Sequence, residues 1–135
     1  MISLSLAMRL RDAGLAWRPR ERDAFALPGR GMDDQVFVVS AMPALVQRYN
    51  GHPVVAFQAS AEWALDYVML AEAVWLPEEG QLREALAALL PPGDELHLTR
   101  VDGGYICAAG PARFEGPDAA TAYGLALLDA LSQPR

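Results

Sequence analysis

There is no lysine in this chain; all eleven basic residues are arginine. That absence removes Schiff-base chemistry and the phosphate-gripping lysine of nucleotide-binding loops together. Cysteine is nearly missing as well. Cys107 stands alone, which excludes an intrachain disulfide and an all-cysteine metal site and fits a reducing compartment. Set between Ile106 and Ala108 in a strand-like run, it reads as an inert small core residue. Histidine is limited to His52 and His97. Hydrolytic triads usually take their base from histidine, but His52 falls in a turn and His97 alternates with Leu96 and Leu98 on the solvent side of a strand. No Gly-x-Ser-x-Gly elbow accompanies them. No catalytic residue is assigned.

Metal-ligand spacings are missing too. The nearest approach, Asp33-Asp34 after Gly29-Arg30-Gly31, reads as a solvated loop. Neither Gly29-Arg30-Gly31 nor Asp102-Gly103-Gly104 joins a parallel strand to a helix, so both read as turns and not as phosphate cradles. The expectation is no metal and no cofactor. Long apolar runs are also lacking: Asp66, Glu72 and Asp129 interrupt the candidates well before the roughly 20 residues needed to cross a bilayer. No membrane insertion is expected. Residues 1–15 carry Arg9, Arg11 and Asp12 inside their apolar pattern, unlike a secretory signal, which points to the cytoplasm.

What is present suffices for one core. The chain has 135 residues, 53% apolar and 21% charged, and a chain of that length can remove roughly two-thirds of its unfolded surface from water. One continuous domain over residues 1–135 is expected. The net charge of −6 argues against nucleic acid as a partner, because nonspecific binding runs on neutralised phosphates. The charge is uneven: Arg9, Arg11, Arg18, Arg20, Arg22 and Arg30 make the start basic, and the remainder is acidic.

The elements follow from periodicity and punctuation. Ser3 can cap a first helix whose apolar residues Ile2, Leu6, Leu10 and Ala13 recur at helical spacing, and Gly14 stands where a left-handed stop belongs. Residues 25–27 and 35–40 read as short strands. Residues 45–49 and 54–58 flank Asn50-Gly51, a hairpin signal, with Pro53 suited to a strand start or edge. Residues 60–71 read either as a helix capped by Ser60 or as a turn leading into extended chain over 68–76. Pro77 is placed at the first position of a helix with Leu82, Leu86, Leu89 and Leu90 on its buried stripe, stopped by Pro91-Pro92-Gly93. A hairpin over 95–109, a strand over 112–115 and a last helix opened by Gly116-Pro117-Asp118 complete the chain. Gly124, inside that helix, disfavours it by about 1 kcal/mol relative to alanine, a penalty that a close approach to the sheet would justify. The fold class is α+β, with a mostly antiparallel sheet of about five to seven strands and three or four helices packed on it.

Two groups are candidate sites. Trp17 with Arg18, Arg20 and Arg22 combines the residue types in which binding energy concentrates, and suits a protein partner or a homodimer. Glu62, Trp63 and Asp66 form the alternative, a small-ligand or hydrolytic pocket, since Glu62 and Asp66 share a face if residues 60–71 are helical. Trp75 reads as core.

Several stretches also carry a resemblance. Ala13-Gly14-Leu15-Ala16-Trp17-Arg18-Pro19 with Asp23-Ala24-Phe25, Glu62-Trp63-Ala64-Leu65-Asp66, Ala73-Val74-Trp75-Leu76-Pro77 with Gln81-Leu82-Arg83, and Ala122-Tyr123-Gly124-Leu125-Ala126-Leu127-Leu128 resemble a family of short bacterial proteins from high-GC lineages. The likeness covers nearly the whole chain. Some members carry a pilus-assembly label borrowed from a protein that looks like a ParA-type ATPase, which needs a phosphate-loop lysine that is missing here. The resemblance therefore implies an accessory partner, not a motor, and transfers no catalytic residue.

Overall fold

Ser3 opens the first helix as its position predicts: its hydroxyl accepts the Leu6 N–H at 3.1 Å, satisfying one of the unpaired donors at the start of α1 (Leu4–Asp12). The helix ends as the sequence predicts too. The Leu15 N–H returns to the Leu10 carbonyl and the Gly14 N–H to the Arg11 carbonyl, each at 3.0 Å, while Gly14 takes φ +109°. That pairing is a Schellman stop, which needs a residue without a β-carbon at the turning point.

The computed structural model describes residues 1–29, 31, 35–39, 46–49, 52–58, 67–69 and 72–133; residues 46–49, 52–58 and 67–69 enter through their backbone pairing. After α1 come β1 (Ala24–Ala26), β2 (Phe37–Val39), β3 (Val46–Tyr49), β4 (His52–Gln58), β5 (Tyr67–Met69) and β6 (Val74–Trp75). Then follow α2 (Glu79–Leu89), β7 (Leu96–Val101), β8 (Gly104–Ala109), β9 (Ala112–Gly116) and α3 (Ala119–Ser132). The chain forms two compact units, one from Met1–Leu15 with Pro77–Arg135 and one from Ala16–Leu76.

In the first unit, β7, β8 and β9 form an antiparallel meander in which Cys107 pairs with Leu98 on one side and Phe114 on the other. Short turns join these strands, so they close on themselves. Helix α3 covers β8 and β9 and is flanked by α1 and α2. Leu10, Leu82, Leu86, Cys107, Ala122 and Leu127 are fully buried and form the core of this unit. His97 and Thr99 point outward, as strand alternation requires.

Two details differ from expectation. Helix α2 begins after Pro77: Glu78 is the capping residue, its N–H donating to Gln81 Oε1 at 2.9 Å. Gln81 three residues into the helix supplies the acceptor, so the start is set by the glutamine side chain and not by the proline ring. Gly124 makes a close approach, but to α1 and not to the sheet. A β-carbon there would stand 2.9 Å from Leu6 Cδ2 and 3.7 Å from Ile2 Cγ2.

In the second unit, β1 pairs antiparallel with β2 and with β6, giving the order β2-β1-β6. Strand β4 carries β3 and β5 on opposite sides, Val55 pairing with both Val46 and Val68. These two three-stranded groups are joined where Val38 and Val39 of β2 pair with Gln58 and Phe57 of β4. Tyr49 pairs with His52 and Arg48 with Pro53, while Asn50 and Gly51 lie outside the described residues. Residues 60–66 lie outside the described residues, and the chain beyond them is extended at β5 and β6.

The fold is therefore α+β with three helices among the described residues, but the expected single sheet of five to seven strands is replaced by separate strand systems. Local hairpin closure explains this. The β7-β8-β9 meander satisfies its neighbours by short turns and covers its apolar face with α3, leaving no reason to join the strands of residues 16–76.

Candidate interaction surface

Residues 15–20 belong to no helix or strand, and their burial alternates residue by residue: Leu15, Trp17 and Pro19 are half-buried, and Ala16, Arg18 and Arg20 are exposed. Arg18 and Arg20 thus face solvent while Trp17 is partly covered.

Trp17 is anchored inward. Strand register places Phe37, Phe25 and Trp75 side by side across β2, β1 and β6, with the Phe25 and Phe37 rings 5.7 Å apart. Trp17 lies over this row, 5.5 Å from Phe25 and 6.5 Å from Trp75, its plane within 9° of the second indole. Its indole N–H donates to Asp23 Oδ2 at 3.0 Å. The same oxygen accepts the Arg20 backbone N–H at 3.0 Å. Asp23 is 6% exposed and is the one buried charged side chain among the described residues. A buried carboxylate needs such donors, because leaving it unpaired would be strongly unfavourable.

Asp23 also closes the turn that carries the last arginine. Its N–H donates to the Arg20 carbonyl at 3.0 Å, its carbonyl accepts from the Val39 N–H at 2.9 Å, and the Arg22 N–H donates to the Val39 carbonyl at 3.2 Å. Within that turn Arg22 adopts φ +74°, and among the described residues no other non-glycine residue has positive φ. A four-residue turn with positive φ at its third residue ordinarily selects glycine or asparagine there. Side chains other than glycine in this region are disfavoured by roughly 1–2 kcal/mol.

The guanidinium groups are open. Arg18 and Arg20 are exposed and form no ion pair among the described residues. The Arg22 side chain is 87% exposed and meets the neighbouring Glu21 at 3.8 Å, a surface contact of little energetic weight. Of the predicted group, then, Trp17 belongs to the packed aromatic cluster and the three arginines form the surface. Sequence reasoning missed Asp23 as the organising residue. Its signal was its position three residues after Arg20 and six after Trp17, a spacing meaningful only once the chain is known to turn at Arg20 to Asp23.

Glu62, Trp63 and Asp66 of the alternative pocket lie outside the described residues, as do Asp33 and Asp34. Trp75 is half-buried, and its indole nitrogen is enclosed without a hydrogen-bond partner among the described residues. Cys107 is fully buried, and burial raises its thiol pKa above the ordinary value, which disfavours the thiolate. His97 Nε2 lies 2.8 Å from Glu95 Oε2 on the exposed edge of the meander. No group of three or more His, Cys, Asp or Glu side chains among the described residues is gathered to hold a metal ion, and no described helix is long and apolar enough to cross a membrane.

Comparison of the chain with protein-family models, curated proteins and solved structures returned no match.

Proposed function

We propose that this protein is a noncatalytic interaction module that engages a protein partner through Arg18, Arg20 and Arg22. The observation that carries the reading is a mismatch between side chains and backbone. The guanidinium groups are exposed, while the chain beneath them is fixed by Asp23 and includes an arginine at φ +74°. A strained position that keeps a long charged residue where glycine would sit without strain is a mark of use. Arginine suits the role because its planar fork of donors meets carboxylates in bidentate geometry and its stem covers apolar surface. A rigid backbone reduces the ordering cost of binding.

The test is capture of the tagged full-length protein with its companions from its own cells, at low and high salt. We expect the Arg18→Glu, Arg20→Glu, Arg22→Glu triple variant to lose a salt-sensitive companion by roughly tenfold or more, with its melting temperature close to that of the parent. An unchanged set of companions would remove this surface from consideration.

A further inference from the structure

The unit built from Met1–Leu15 and Pro77–Arg135 has a groove of about 560 Å³ where α2 and α3 end beside the β8-β9 turn. Its apolar lining includes Leu89 and Leu90 at the end of α2, Phe114 on β9 and Ala126 on α3. Leu89, Leu90 and Phe114 are half-buried, so this surface is only partly covered. Two exposed carboxylates, Asp94 and Asp129, line it as well. Asp94 lies over Gly110, where a β-carbon would overlap its carboxylate. Asp129 accepts a hydrogen bond from Gln133 Nε2 at 3.3 Å. Neither carboxylate forms an ion pair among the described residues.

The helix ends add to the negative field. Both α2 and α3 direct their C-terminal ends toward this groove, and neither has a basic residue in its last turn. The partial negative charge of a helix C-terminus favours a cation within the last turn. An apolar floor with two carboxylates and two such helix ends suits a side chain with an apolar stem and a cationic head. That is the chemistry of arginine, whose methylenes cover hydrophobic surface while its guanidinium reaches an anion.

We propose that the groove's occupant is a second copy of this chain, whose exposed Arg18 and Arg20 lay their stems on Leu89, Leu90 and Phe114 and pair with Asp94 and Asp129. The proposal rests on reading the arginine face as an interaction surface and names its partner. The two surfaces complement each other in charge. Arg18 and Arg20 stand two residues apart, both exposed, and neither forms an ion pair among the described residues. Each copy carries both halves of the contact, so association uses the same pairing twice if it closes on itself.

Sedimentation velocity on the purified full chain tests this. At low salt the mass should rise from the 14.6 kDa monomer as concentration increases from micromolar toward millimolar, and high salt should reverse the rise. Arg18→Glu with Arg20→Glu, and separately Asp94→Arg with Asp129→Arg, should each weaken association by roughly tenfold or more. An equimolar mixture of the two variants should recover it, because it restores the wild-type pairing on one side and the charge-swapped pairing on the other. Should the arginine substitutions in the groove prevent folding, Asp94→Asn with Asp129→Asn provides the same test with a smaller perturbation. A monomeric mass throughout at low salt, association indifferent to both carboxylates, or folded variants that fail to complement would each overturn the proposal. If the wild type stays monomeric while the arginine-to-glutamate variant still loses a cellular companion, self-association fails and the arginine face stands. If the companion is also unaffected, both readings fall.

Discussion

Asp23 and Arg22 are adjacent in sequence and opposite in energetic character. Asp23 stabilises: one carboxylate oxygen holds the Trp17 indole and the Arg20 amide, so a side chain from one end of the segment and the backbone from its middle are fixed by a single group. Asp23→Ala would strand two donors in a poorly hydrated place, and the expected loss is about 1–3 kcal/mol in denaturant unfolding of the full chain. Arg22 destabilises, because its φ of +74° is tolerated by glycine and resisted by a side chain with a β-carbon. Arg22→Gly is therefore expected to raise stability by up to about 1 kcal/mol, measured by the same unfolding experiment. The same substitution should weaken capture of a partner. A variant that gains stability and loses binding separates use from architecture, as expected where strain serves a site.

At the scale of elements, the helices of the unit formed by Met1–Leu15 and Pro77–Arg135 are set by their caps and by one tight contact. Asp118 caps α3 by accepting the Thr121 N–H at 2.7 Å, and this hydrogen bond is the main reason its carboxyl is held below the ordinary carboxylate range. A carboxyl that is more acidic when folded contributes stability above its unfolded pKa and loses it as pH falls through the folded value. Asp118→Ala should thus cost about 1 kcal/mol at neutral pH, and thermal melts should show the difference closing as the pH drops below the carboxylate range. Gly124 is the second control point, since Leu6 of α1 fills the space where its side chain would be. Gly124→Val is expected to lower stability by about 2–3 kcal/mol by overpacking that contact, read as a lower melting temperature.

These elements were legible in the sequence wherever a local rule sufficed. Ser3, Gly14 and Asp118 marked their helix ends, and the alternation around Asn50-Gly51 and Asp102-Gly103 marked two hairpins, because caps and turns depend on a few adjacent residues. Leu6 against Gly124 was not legible, since it joins residues far apart in sequence and any apolar surface could have filled that space. The start of α2 went to Gln81 over Pro77 because a side-chain acceptor can outweigh a pre-set φ. The candidate site was half legible. Residue type marked Trp17, Arg18, Arg20 and Arg22 as a patch, but the fate of Trp17 depended on the register that brings Phe37, Phe25 and Trp75 into one row, and no local pattern specifies register across three strands.

At the scale of the whole molecule, the chain begins one unit with α1, builds the second from Ala16–Leu76, and returns to the first at Pro77. The exposed arginines lie at the start of the second unit and the groove with Asp94 and Asp129 lies in the first. Counting charge along the chain assigns a sign to each region but cannot gather Asp94, from a loop, with Asp129, from the last helix, because only the packing of α2, α3 and the β8-β9 turn brings them to one groove. The division into units has an optical consequence. All three tryptophans, at positions 17, 63 and 75, lie between Ala16 and Leu76, while all three described helices belong to the other unit. Indole emission consequently reports the unfolding of one unit, and the helical band of the far-ultraviolet dichroism is dominated by the other, so a single unlabelled sample read at two wavelengths distinguishes concerted from stepwise melting.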